Sequence, residues 1–322
     1  LGGQPGVTPN IDRLAREGIL FTRVDCNSFR TDRGLVALLS GYLAQPTTSV
    51  IRMTKKVPNL PALPRRFKEA GYDTMAVHGG DLTIFHKGEY YLTVGHDRVV
   101  GDKDLPKGLP SGKWGIHDGA VLDWIYDDIM DKTSKGRRWY TTFQTLSSHE
   151  PWIVPYTRLK DDEIANTFAY VDDAIGRFVD RLKKTPAWDS LLIVITGDHG
   201  CNTGQHLPAD RYAHIPLLMT GGAVKAPRRI DTIMSQTDTA ATLLGQLGIS
   251  HDEFIFSRDV MAESYTYPFG FHTFVNGFMF RDATGYTVYD NVSDTATDSP
   301  DPDRERKGRI ILQYLYEDLA RR

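Results

Sequence analysis

The chain reads as an α/β protein built on a mostly parallel central sheet with helices on both faces, followed by a small antiparallel sheet and a terminal helix. Three observations predict this. Apolar strand-like runs alternate with amphipathic stretches up to about Gly248, the pattern of successive βαβ units. Several runs end in polar, glycine-punctuated turns, where open α/β sheets place their ligands. After about Ser250 the texture changes to short aromatic segments separated by glycines, as in a meander. We therefore expect a main domain over residues 1–250 and a β subdomain with a C-terminal helix over residues 251–322.

Thr8-Pro9 opens the first helix, with Thr8 as cap, proline at the first position and Gly18 as terminator. Residues 18–24 form a strand, and 25–30 a loop. Thr31-Asp32 starts a helix that runs to Ser40, with Gly41 behind it. A proline-entered helix over 58–70 leads to a buried strand at 73–77, which ends in His78-Gly79-Gly80-Asp81. Residues 82–110 lack a clear period and read as a long loop with short helical turns. A helix at 118–130, a strand at 139–145 and a long helix at 161–184 follow; the last is acidic at its start and basic at its end, as the helix dipole favours. The run Leu191-Leu192-Ile193-Val194-Ile195-Thr196 is a buried strand leading into Gly197-Asp198-His199-Gly200. Residues 215–219 add a strand and 238–247 a helix. Residues 267–289 hold the meander, and 310–319 the last helix.

With 38 Lys+Arg against 41 Asp+Glu, the formal charge is −3, which excludes a nucleic-acid footprint. No apolar run approaches membrane-spanning length. Two cysteines, Cys26 and Cys201, exclude a disulfide scaffold and read as buried free thiols.

Four polar turns share one face of the sheet: residues 30–34, 78–81, 148–152 and 197–200. Asp198 and His199 supply a carboxylate and an imidazole that can reach one divalent cation, with Gly197 and Gly200 letting the backbone turn. Thr31 sits at a helix N-terminus, either as its cap or as a hydroxyl that a metal would activate as a nucleophile. Arg30 and Arg33 could neutralise a phosphate or sulfate oxyanion. His149 reads either as a general acid for a leaving alkoxide or as a structural histidine at a bend. His214 is a further candidate, against a rim position. Lys87 by default is a solvated loop lysine.

The segments Thr8-Pro9-Asn10-Ile11-Asp12-Arg13-Leu14, Arg30-Thr31-Asp32-Arg33-Gly34, Leu146-Ser147-Ser148-His149-Glu150-Pro151-Trp152, Thr196-Gly197-Asp198-His199-Gly200 and Ser235-Gln236-Thr237-Asp238-Thr239-Ala240-Ala241-Thr242-Leu243-Leu244 together resemble the alkaline phosphatase/sulfatase superfamily. Within it they look like the lipoteichoic acid synthase-like phosphoglycerol transferases. The resemblance implies an alkaline phosphatase-like fold and a threonyl nucleophile at Thr31. It also implies one divalent metal on Thr31, Asp198 and His199: manganese first, with magnesium, zinc or calcium as alternatives. His149 would bind phosphate or assist the leaving group. Arg30, Arg33, His214 and the Ile84-Phe85-His86-Lys87 segment, through Phe85 and Lys87, would line the substrate.

The implied partners are an anionic phospholipid or another phosphate or sulfate ester, and a membrane reached through a segment ahead of Leu1. The implied location is extracytoplasmic, in the periplasm or on the outer face of the cytoplasmic membrane. The implied reaction transfers phosphoglycerol from a lipid through Thr31. A hydrolase of the same superfamily and an inactive envelope-binding module are the alternatives. Two departures stand out. The Cys/Ser-x-Pro-x-Arg signature of sulfatases is absent, which argues against formylglycine-type sulfate hydrolysis. The family's first strand, carrying an acidic metal ligand, would lie upstream of Leu1.

Overall fold

The computed structural model describes residues 3–202 and 207–322. In chain order the main layer contains α1 (Pro9–Glu17), β1 (Ile19–Asp25), α2 (Thr31–Ser40), α3 (Leu63–Glu69), β2 (Asp73–His78), α4 (Lys87–Thr93), β3 (Arg98–Val100), the hairpin β4 (Ser111–Gly112) and β5 (Gly115–Ile116), α5 (Asp118–Ser134), β6 (Trp139–Gln144), α6 (Glu163–Leu182), β7 (Ile193–Thr196), α7 (Ala209–Ala213), β8 (His214–Thr220), β9 (Arg228–Ile230), β10 (Met234–Ser235) and α8 (Asp238–Gln246). A four-stranded antiparallel meander follows: β11 (Gly270–Phe274), β12 (Gly277–Asp282), β13 (Gly285–Asp290) and β14 (Thr295–Asp298). It is closed by α9 (Pro302–Arg321).

Four pairings of the main layer are parallel: β1 with β9 and β10, and β2 with β3 and β6. Besides the β4–β5 hairpin, β1–β8 and β7–β8 are antiparallel.

The layer falls into two ladders, β3-β2-β6 and the five strands β10-β1-β8-β7 with β9. Strands β6 and β7 nevertheless share a core on both faces. Tyr140 packs with Leu192 and Val194 beneath α3 and α8, and Trp139 and Phe143 pack with Ile193 against α5 and α6. No backbone ladder joins β6 to β7 among the described residues. Their side chains stay half-exposed, while those of β2 and β8 are mostly buried. Two neighbouring strands therefore present unpaired edges between the same two helical layers.

Several local expectations are revised. The Thr8 side chain makes no cap bond. Instead Asp172 on α6 accepts from the backbone N–H groups of Asn10 and Ile11 and from the Asn10 amide, so a distant carboxylate does the capping. The proline-entered helix breaks into a 3-10 turn at Val57–Asn59 followed by α3, because Pro61 and Pro64 each remove a backbone donor. Residues 82–110 contain the expected short helical turns, as a 3-10 turn and α4, and also β3, which is only three residues long and too short to show a period. α9 begins at Pro302, eight residues before the expected start, with Asp301 as its side-chain cap. Cys26 is buried, but Cys201 is exposed, and both are free. No helix among the described residues is long and apolar enough to cross a membrane.

The C-terminal sheet is bonded into the main layer along residues 25–28. Thr273 N–H donates to Asn27 O at 2.8 Å, Asn27 Nδ2 to Phe271 O at 3.1 Å, and Ser28 Oγ to Thr273 O at 2.9 Å. The buried Asp25 pairs with Arg281 of β12 at 2.7 Å. This sheet thus clamps the loop that leads into α2.

Candidate active site

Thr31 is the first residue of α2, and the cap position before it is Arg30. The Arg30 side chain makes no capping bond, and the Thr31 hydroxyl is not at the cap position. It lies instead 3.4 Å from His199 Nε2. His199 Nδ1 sits 2.7 Å from Gly200 O. A carbonyl only accepts, so Nδ1 carries the proton and Nε2 presents its lone pair to Thr31, the orientation of a metal-ligating histidine. Asp198 Oδ2 is 3.6 Å from the same Nε2, and Asp198 Oδ1 accepts the His199 backbone N–H at 3.0 Å. The Asp-His pair and the threonine, remote in sequence, converge on one point.

Close packing explains the convergence. A side chain at Gly34 would come within 2.3 Å of Asp198 O, so only glycine lets the first turn of α2 meet the Asp-His turn. Gly200 similarly faces Tyr212 O. Neither Gly197 nor Gly200 has a left-handed φ; the requirement at Gly200 is proximity rather than turning freedom. Gln236 locks the arrangement. Its Nε2 donates to the carbonyls of Gly197 and Asp198, both at 2.8 Å, and its Oε1 accepts Asn27 N–H at 3.0 Å. One fully buried amide thereby ties the Asp-His turn to the loop before Thr31. Its position ahead of α8 in the Ser235-to-Leu244 motif was the available signal, but nothing local shows where a glutamine will reach.

The donor set fits a divalent cation. An ion with ligands at about 2.0–2.2 Å separates neighbouring donors by roughly 3.0–3.5 Å, close to the 3.4 and 3.6 Å found. A hydroxyl, a carboxylate and an imidazole suit a hard or borderline metal. Two of these three are acid or imidazole side chains, and no group of three or more His, Cys, Asp or Glu poised on a metal occurs among the described residues.

A second cationic group stands beside this cluster. Lys87 is buried at the start of α4, with its ammonium 2.8 Å from His78 Nε2. His78 Nδ1 donates to Gln144 O at 3.0 Å. Burial, and then the Lys87 charge, push His78 down to about 4, so it stays neutral and accepts from the lysine. Burial lowers Lys87 to about 8, while Asp81 and Asp198 pull it back up. Phe85 and His86, just ahead of it, both adopt left-handed φ values of 57°, strain of the kind that accumulates at functional sites. Phe85 carries the Arg52 guanidinium over its ring at 5.2 Å. His78 had been legible only as a strand-end residue without a role.

Other candidates are placed elsewhere. Arg33 is buried, with its Nε directed to Gln45 O at 3.4 Å, Asp32 at 3.7 Å and the Phe29 ring beneath it at 4.9 Å. It braces the loop and does not reach Thr31. Arg30 is exposed beside the same ring. His214 donates to Thr22 O at 2.8 Å, which makes it a strand-rim residue. His149 is exposed; its Nδ1 donates to Glu150 O at 2.9 Å and its ring meets Trp114 edge-on at 5.6 Å. The turn carrying it is anchored by buried Asp118, which accepts from Leu146 and Ser147 N–H, both at 2.9 Å.

Residues 1–249 match the sulfatase family. The chain belongs to that family. It is similar to phosphoglycerol transferase I of Xanthomonas campestris pv. campestris, 27% identical over 283 residues that cover 80% of this chain and 40% of that protein. It is 22% identical to lipoteichoic acid synthase 2 of Bacillus subtilis, over 91% of this chain and 50% of that protein. The chain therefore spans half or less of the length of these relatives. Its fold is that of an alkaline phosphatase superfamily protein from Vibrio parahaemolyticus (TM-score 0.84, 24% identity, 99% of this chain and 83% of that one). It is also that of the lipoteichoic acid synthase LtaP from Listeria monocytogenes (TM-score 0.82, 19% identity, 98% and 86%).

Proposed function

We propose that this chain is the catalytic part of a metal-dependent phosphoglycerol transferase that works through a threonyl intermediate on Thr31. The observation that carries the reading is the Thr31 hydroxyl facing His199 Nε2 beside Asp198. Thr31, Asp198 and His199 would hold one divalent cation, with manganese favoured by the resemblance. When bound, the cation lowers the pKa of the hydroxyl and neutralises charge on the phosphoryl oxygens.

Thr31 Oγ1 attacks the phosphorus of a lipid-linked phosphoglycerol diester and loses its proton to solvent. The phosphorus–oxygen bond to the lipid alcohol breaks, and His149 donates a proton to that alkoxide. In the second half an acceptor hydroxyl attacks, giving its proton to His149, and Thr31 Oγ1 is released and reprotonated. Lys87, held in place by His78, takes the phosphate or headgroup oxygens, with Arg30 and Phe85 at the rim. Catalysis here is largely positioning and electrostatics. On this reading the site faces the outer leaflet of the cytoplasmic membrane or the periplasm, and the longer protein carries the membrane anchor.

We further propose that the unpaired edges of β6 and β7 accept a strand from ahead of Leu1. A parallel strand there would end beside Asp198 and could add an acidic donor. Hydrogen exchange in a longer form of the protein tests this; unprotected β6 and β7 amides there would refute it.

The functional test uses the full-length protein, Mn²⁺ and an anionic phospholipid labelled in its glycerol phosphate. A labelled adduct on the tryptic peptide containing Thr31, with release of diacylglycerol, is the expected result. Labelling that persists in Thr31→Ala would overturn the assignment.

A further inference from the structure

His149 carries the proton steps of the reaction proposed above, yet it is exposed. An exposed imidazole keeps its rotamer freedom, and an acid out of place loses much of its effect. Its Nδ1–H donates to Glu150 O at 2.9 Å. The same carbonyl receives a second donor, the indole N–H of Trp114. A carbonyl oxygen has two lone pairs and takes both bonds. The Trp114 ring also meets the imidazole edge-on, at 5.6 Å between centres and 73° between planes. One tryptophan thus holds the acceptor that His149 uses and walls the imidazole itself. Trp114 is in turn fixed from both sides. Gly115 bridges Gly80, and Ile116 N–H donates to Gly79 O at 2.8 Å. Lys113 holds its ammonium 5.1 Å from the centre of the indole. The hairpin leads directly into Asp118, whose carboxylate grips Leu146 and Ser147 N–H. Hairpin tip and helix start therefore hold the two ends of the same turn.

We propose that Trp114 is a positioning residue for the proton steps, acting through Glu150 O to keep a proton on His149 Nδ1 and leave Nε2 as the exchanging atom. This rests on the transferase reading above and adds a residue which that reading does not use. Which ring nitrogen is protonated is set by the bond the other one makes. In the first half-reaction Nε2–H passes its proton to the lipid alkoxide. In the second, the Nε2 lone pair takes the proton of the acceptor hydroxyl. The Nδ1–H bond to Glu150 O stays intact through both. With the ring turned over or the other tautomer present, a donor would stand where the second step needs a lone pair.

The test reads the imidazole and the rate separately. Nitrogen NMR of this chain with labelled histidines shows which ring atom of neutral His149 holds the proton, the signal being assigned by its loss in His149→Gln. The protein should show the Nδ1–H form. Trp114→Ala should move it toward the Nε2–H form that free imidazole prefers in water. Trp114→Phe, which keeps a ring edge and loses the N–H, should move it part of the way. In the full-length protein with Mn²⁺ and the labelled phospholipid, Trp114→Ala should slow adduct formation at saturating donor about 10-fold, with KM unchanged. Trp114→Phe should slow it about 3-fold. Both losses should nearly vanish with a nitrophenyl donor, and in a His149→Gln background, where the braced group is gone. An unchanged tautomer in Trp114→Ala, equal losses with both donors, or losses that add to that of His149→Gln would each overturn the proposal. The transferase reading fails separately: no adduct on Thr31 in the unaltered protein removes it, and the tautomer in Trp114→Ala then decides the brace alone.

Discussion

The two sides of the active face are built to different standards. On one side Thr31, Asp198 and His199 are set by backbone contact at Gly34, by the buried Gln236 amide and by the C-terminal sheet clamping residues 25–28. On the other side His149 and Trp114 are exposed and rest on a two-residue-strand hairpin and a turn anchored by Asp118. The contrast fits a division of labour. On the proposed reading, the group that forms a covalent bond needs placement to fractions of an ångström, while a surface that admits an acceptor must stay open.

The largest expected effect comes from removing the proposed nucleophile on the braced side. Thr31→Ala should lower turnover by about 10³-fold or more, leaving headgroup binding measurable by calorimetry. Retained turnover would dissolve the distinction between the two sides.

Gly34→Ala tests the bracing itself. The added carbon meets backbone rather than a yielding side chain, so the helix must shift. We expect a stability loss of about 1–3 kcal/mol in denaturant melts and a rate loss of about 10²-fold from misplacement of Thr31. A variant of normal stability and rate would show that the contact is not needed.

On the open side, His149→Gln should reduce the rate of adduct formation about 10²-fold, with thermal stability unchanged because the ring is exposed. The loss should shrink with a donor whose leaving group is already acidic, such as a nitrophenyl ester. An equal loss with both donors would argue against the proton-transfer role.

The smallest effect is a pH dependence. Lys87 is lowered to about 8 by burial, so its positive charge is present below that pH and lost as pH rises through it. KM for the anionic donor should therefore rise several-fold above about pH 8, and Lys87→Arg should move that rise to higher pH. The same lowered value has the opposite sign for stability. The unfolded chain holds this proton up to about 10.4, so the cost of burying the charge is removed as pH climbs from 8, and stability increases there. A flat KM profile would place Lys87 outside headgroup binding.

Much of the layout was legible in the linear order. α2 begins at Thr31 and ends at Ser40 as its residues predict, β7 ends at Thr196 before the Asp-His pair, and the late meander follows its glycines. These are consequences of periodicity and local turn chemistry, which depend on neighbours in sequence. The roles of Arg33 and His214 were not legible. Each has a bonding group that could serve an anion equally well, and only the fold shows that Gln45 O and Thr22 O have taken it. Lys87 was unreadable for the converse reason: a lysine in an irregular segment looks solvated until α4 buries it against His78.

By itself the sequence determined the main helices and strands, the order of the polar turns and the residue types able to carry metal and phosphoryl chemistry, because hydrophobic period and turn chemistry are short-range. The tertiary structure alone decided which of those polar residues meet. The contacts of Thr31 with His199, Gln236 with the Asp-His turn and Lys87 with His78 depend on where whole strands and helices come to rest. Side-chain bonds at those places go to whichever partner burial leaves nearest.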